Sequence, residues 1–169
     1  MSEESRRETL VAALLDPERT LTFGLRDWND VLMLGREHGV LARLGARLAQ
    51  RGLLDAIPYK ARAHIRAVTI AVDSSQTAIR WEVNRVVRAL AQVDCPIVLL
   101  KGSAYVMAGL PAAGGRFVGD LDLMVPREKI EEVERVLAEK GWAPSKMNEY
   151  VPFQVIDAEP EPCPSPFFA

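Results

Sequence analysis

Apolar positions in the first part of the chain recur at helical spacing. Thr9 to Leu15 predicts a short apolar helix, stopped at Asp16-Pro17 because the residue before a proline is pushed out of the α region. Asp27 is placed to cap a second helix in which Trp28, Val31, Leu32 and Leu34 share one side. Gly39 is expected to end it, with His38 in the last turn, where a cation suits the helix dipole. Val40, Leu41, Leu44 and Leu48 keep the spacing up to Gly52. Pro58 suits the start of a further helix, and no proline or glycine interrupts the chain from Tyr59 to Val93. Ile65, Val68, Val72, Ile79, Val83, Val86, Val87 and Leu90 form an apolar stripe there, the mark of helix packing. Asp73-Ser74-Ser75 leaves open whether this is one helix or two.

Near Asp94 the pattern changes. Pro96-Ile-Val-Leu-Leu100 is an apolar run of strand length, followed by Lys101-Gly102. Ser103 to Gly109 predicts a short helix, Leu110 to Gly119 a Gly- and Pro-rich loop, and Asp120 to Val125 a second strand. Pro126 opens a helix with Ile130, Val133, Val136 and Leu137 on one face and Glu131, Glu132, Arg135 and Glu139 on the other, stopped by Gly141. Glu159 to Pro166 alternates prolines and has little to pack, so residues 158–169 read as an extended or disordered tail. No internal repeat of roughly 20 to 50 residues is visible. The expected architecture is α+β: a helical lobe over residues 1–95, packed on a small α/β domain with a short mixed sheet over residues 96–157.

Composition narrows the class. The chain has 169 residues, 49% hydrophobic and 26% charged, which is ordinary for a globular protein with one real core. A net charge of −2 and a pI near 5.8 supply no global basic field, so nucleic acid is an unexpected partner, although a local basic patch is still allowed. No apolar run approaches the roughly 20 residues that span a bilayer, and the polar start of the chain does not resemble a signal peptide. Cys95 and Cys163 are too few for a disulfide framework or a zinc site and read as reduced thiols, which suggests a cytoplasmic protein. The helical settings of His38 and His64 give neither a metal-ligand spacing. Trp28, Trp81 and Trp142 are expected as core or lobe contacts rather than base-stacking platforms.

Chemistry concentrates between Leu99 and Val125. In Asp120-Leu-Asp122, side chains two apart on a strand face the same way, so both carboxylates project from one face while Leu121 and Leu123 point to the core. Such a pair repels itself unless a cation neutralises it, and hard oxygen ligands suit magnesium; the alternative is a solvated strand face. Gly102-Ser103 lies between a strand and a short helix, where glycine allows close backbone approach and the first amides of a helix favour phosphate. Lys101 adds positive charge and Ser103 a hydroxyl; the alternative is an ordinary turn.

Together, strand, Gly-Ser, helix, loop and a strand bearing Asp-hydrophobic-Asp resemble the DNA polymerase beta-like nucleotidyltransferase superfamily. More closely, Leu99-Leu-Lys-Gly-Ser-Ala104, Arg116, Gly119-Asp-Leu-Asp-Leu-Met-Val125 and Lys140-Gly-Trp142 resemble a bacterial family of uncharacterised nucleotidyltransferases. The resemblance implies Asp120 and Asp122 as catalytic magnesium ligands, Gly102 and Ser103 as holders of the nucleotide phosphates, and Lys101 and Arg116 beside them. It implies transfer of a nucleoside monophosphate from a nucleoside triphosphate to an acceptor, a small molecule or a protein, with release of pyrophosphate. It also implies a third carboxylate on the next strand. Glu149, Asp157 and Glu159 are the acids available there, and none stands in the family's expected setting. A C-terminally truncated or degenerate member is therefore expected, and an inactive nucleotide- or protein-binding module is the alternative.

Overall fold

The computed structural model describes residues 3–142. The first helix, α1 (Glu3–Leu15), begins well before Thr9, with Glu3 and Glu4 in its first turn, where carboxylates complement the dipole. It ends as expected at Asp16-Pro17, and Pro17–Thr22 forms a 3-10 turn capped by Asp16. Helix α2 (Leu25–Glu37) starts three residues earlier than expected. Gly24 occupies the N-cap, and Asp27, three residues on, accepts a hydrogen bond from the Gly24 amide at 2.9 Å. Asp27 thus caps from inside the first turn rather than from the boundary. Gly39 and Gly52, at φ 66° and 67°, end α2 and α3 (Leu41–Gln50) in the left-handed conformation that glycine adopts without strain.

Helix α4 (Tyr59–Ala89) is one continuous 31-residue helix that starts at Pro58. The Ser75 and Thr77 hydroxyls donate to the Val72 and Asp73 carbonyls, so the polar run at Asp73-Ser74-Ser75 is absorbed within the helix. At about 1.5 Å per residue α4 is long enough to serve two cores. Its first turns, with Ala61 and Ile65, close a core made with Leu10, Trp28, Val31, Leu41, Leu44 and Leu48. Its later turns carry Ile79 and Val83 into one small cluster with Val106 and Val118, and Val86 and Leu90 into another with Val133. The helical lobe and the α/β part therefore share a helix.

The sheet is a pair of two-residue strands, β1 (Val98–Leu99) and β2 (Leu123–Met124), antiparallel with Val98 opposite Met124 and Leu99 opposite Leu123. The Leu100 amide extends the pairing by donating to the Asp122 carbonyl at 3.0 Å. Between them lie α5 (Lys101–Met107), which begins two residues before the expected Ser103, and a 3-10 turn at Pro111–Ala113. After Pro126, a 3-10 turn (Arg127–Lys129) leads into α6 (Ile130–Glu139), and Gly141 at φ 97° follows its end. Lys129 donates to Glu132 at 2.8 Å, a bond that lowers the Glu132 pKa and raises that of Lys129. The arrangement is α+β with a helical N-terminal region. The remainder of the expected mixed sheet and the proline-rich tail lie outside the described residues. No described helix is long and apolar enough to cross a membrane.

Candidate active site

The chain turns sharply where β1 gives way to α5. Leu100 is extended, and Lys101 takes φ 51°, the only positive φ at a described residue other than glycine. That conformation costs an L-residue about 1–2 kcal/mol, so the surrounding structure must hold it. It brings the Lys101 ammonium to 3.1 Å from Asp122 Oδ1. Gly102 is buried beneath the loop, where an added Cβ would stand 3.0 Å from Val118 Cγ1 and 3.6 Å from Arg116 Nε. Ser103 is 1% exposed, and its hydroxyl donates to the Leu100 carbonyl at 2.7 Å. The first amides of α5 have no carbonyl one turn back within the helix, but Gly102 and Ser103 are both buried.

Asp120 and Asp122 precede β2 in an extended stretch. Leu121 and Leu123 between and after them pack into the cores, Asp122 is half-buried and Asp120 is exposed. The paired strand expected from Asp120 is confined to Leu123–Met124, and Leu121, Asp122 and Leu123 are all half-buried. Asp122 is anchored twice, through its carbonyl to Leu100 and through its carboxylate to Lys101. The Arg116 guanidinium carbon lies 5.5 Å from the centre of the Tyr105 ring, which keeps the side chain over α5. Lys101, Gly102, Arg116 and Asp122 thus converge where β1, α5 and the lead into β2 meet.

Several residues that hold this site carry no sequence signal. The Gln76 amide on α4 donates to the Ala113 and Arg116 carbonyls at 2.7 and 2.9 Å, and Ser75 Oγ accepts from the Val118 amide at 3.4 Å. Arg43 on α3 donates to the Ala112 carbonyl at 3.0 Å. Gly115, at φ 66°, lies so close to α3 that a Cβ there would stand 2.4 Å from the Arg43 backbone. The loop from Leu110 to Gly119 is fixed by α3 and α4, one helix of the lobe and the one shared by both parts. Only the glycine itself could have hinted at so close an approach.

A divalent cation fits this donor set in part. No cluster of three or more potential ligands occurs among the described residues, but Asp120 and Asp122 supply hard oxygens on an open face. Magnesium commonly keeps several waters and takes one or two carboxylates together with substrate phosphates. The acids considered for a third position, Glu149, Asp157 and Glu159, lie outside the described residues.

The other residues singled out in the sequence fall elsewhere. His64 Nδ1 is 2.7 Å from an Arg36 nitrogen. Trp28 is in the lobe core, edge-on to Phe23. Trp142 donates to Glu82 at 2.8 Å, and Arg85 lies over both the half-exposed Trp81 ring and the Trp142 ring, at 4.9 and 4.4 Å.

Comparison with known families gives one finding: the family described as uncharacterised nucleotidyltransferase matches residues 25–161, which include the whole site. No curated protein and no solved structure matches.

Proposed function

Because the chain belongs to the uncharacterised nucleotidyltransferase family, we propose that its site binds a magnesium-complexed nucleoside triphosphate and transfers the nucleoside monophosphate to an acceptor, releasing pyrophosphate. The observation that carries this is the placement of Lys101 and Gly102 against Asp122, with Arg116 beside Gly102, at one junction of strand and helix. In this reading Asp120 and Asp122 hold the metal. Lys101 and Arg116 face the phosphates, buried Gly102 lets the turn pack closely, and the Ser103 hydroxyl braces the turn through Leu100. Bound magnesium would neutralise charge on the phosphates and help align attacking and leaving oxygens.

The bond that forms joins the acceptor oxygen to the α-phosphorus, and the bond that breaks joins that phosphorus to the pyrophosphate oxygen. The acceptor proton passes to a base, a role this reading leaves to an acid beyond Trp142. Lys101 neutralises Asp122, and with magnesium on that carboxylate its ammonium would be free to meet the phosphates. The acceptor is a small molecule or a protein, and the setting is the bacterial cytoplasm, in keeping with the free thiol of Cys95.

A second reading, a nucleotide- or protein-binding module without turnover, is favoured by the same Lys101–Asp122 pair, which already satisfies one of the two carboxylates. Calorimetry of ATP and GTP binding, with and without magnesium, tests the site. Binding that requires magnesium and is lost in Asp120→Ala/Asp122→Ala is expected; binding indifferent to both would overturn the assignment. Release of pyrophosphate on adding candidate acceptors separates the enzyme from the module.

A further inference from the structure

Helix α3 carries Arg43 and Arg47 four residues apart, and Arg51 follows at its C-cap, so the three cations lie on successive turns of one face. Like charges at this spacing repel, and the helix dipole offsets the cost only toward the C-terminal end, where Arg47 and Arg51 sit. Each guanidinium is held in place. Arg43 donates to the Ala112 carbonyl at 3.0 Å, Arg47 to the Leu15 carbonyl at 3.3 Å, and Arg51 pairs with Glu18 at 3.0 Å. Among the described residues Glu18 is the only carboxylate in an ion pair with any of them, so three positive charges there face one negative.

These three side chains, with Gln50, Pro111 and Gly114, line a cleft of about 230 Å³. It has room for an anion several times larger than a water, whose share of the liquid is about 30 Å³. Each guanidinium has five N–H donors in a planar fork suited to phosphate, and the named contacts use only a minority of them. The far wall of the cleft belongs to the loop that carries Arg116 and runs into Asp120. The cleft therefore lies between the helical lobe and the part of the chain that holds the carboxylates.

We propose that this arginine cleft is a second anion site, which binds a phosphate group of the acceptor. Its assignment to the acceptor rests on the nucleotidyl-transfer reading above; the anion site itself does not. The donor nucleotide is the other source of the same chemistry, and it is held at the Asp120–Asp122 end with magnesium. An acceptor phosphate held by α3 leaves the acceptor's reacting group free to approach the loop side.

The test is metal-free calorimetry with inorganic pyrophosphate, chelator present, on the full chain. Arg47→Gln/Arg51→Gln removes two charges without touching the Arg43 tie to the loop, and Arg47→Lys/Arg51→Lys keeps the charge. Lys101→Ala/Arg116→Ala removes the cations of the donor end. Wild type and the donor-end variant are expected to bind alike, the glutamine variant at least about tenfold more weakly, and the lysine variant in between. No metal-free binding in wild type, or binding that the glutamine variant retains, overturns the anion site. Pyrophosphate binding lost in the donor-end variant instead assigns the anion to the donor end and overturns the proposal. Failure of the nucleotidyl-transfer reading shows separately, as nucleotide binding that ignores both magnesium and the aspartates.

Discussion

The helical lobe and the α/β part are held together by different means. In the lobe, Val31, Leu44 and Leu48 are completely buried, and α1, α2, α3 and the start of α4 close one core around them. In the α/β part the strands are two residues long and the apolar residues divide into two small clusters, with Val106 and Leu90 the fully buried apolar side chains. Phe117, Val98 and Met124 remain exposed there. The site sits in the second region, yet its loop is fixed by Arg43 from α3 of the lobe and by Ser75 and Gln76 from the shared helix α4. The lobe thus acts as the support, and the α/β part as the thin layer of chain that it positions.

Core truncations break this comparison most strongly. Leu44→Ala is expected to cost about 3–5 kcal/mol, because a rigid helical core collapses little around the void. Val106→Ala is expected to cost about 2 kcal/mol, with fewer methyl groups lost in a smaller cluster. Urea unfolding gives both values, and hydrogen exchange should show the lobe amides still protected in Val106→Ala. Equal losses, or loss of lobe protection in both variants, would contradict the division of labour.

A smaller effect comes from the site itself. Lys101→Gly removes a strained left-handed side chain and is expected to raise stability by about 1 kcal/mol. The ion pair it gives up has a lysine that is 69% exposed, and pairs of that kind contribute little. The same variant is expected to bind nucleotide more weakly. Thermal unfolding checks the first expectation; a lower melting temperature would show that the Asp122 contact outweighs the strain.

What could be read from the sequence follows the same line. Helices α2, α3, α4 and α6 are written in local periodicity and in boundary residues such as Gly39, Gly52, Pro58 and Gly141, so their existence was legible. Asp27 was recognised as a cap but placed at the boundary, because a carboxylate reaching back from the third helical position looks the same in sequence as one at the first. One helix or two at Asp73-Ser74-Ser75 was undecidable, since it depends on hydroxyls finding carbonyls in their own helix. In the site, Asp120 to Val125 reads as a strand because alternation is local, yet only Leu123–Met124 pair as one. The approach of Lys101 to Asp122, the inward turn of the Ser103 hydroxyl, and the hold of Gln76 and Arg43 on the loop depend on long-range contacts that no spacing encodes.

The most direct test of the account is where a metal-bound nucleotide settles. Amide NMR spectra recorded while Mn²⁺–ATP is added at substoichiometric levels report that position through paramagnetic broadening. The account predicts broadening centred on residues 101–103 and 120–122, with Leu41 to Leu48 in the lobe core little affected. Broadening centred in the lobe, or none at saturating nucleotide, would contradict it.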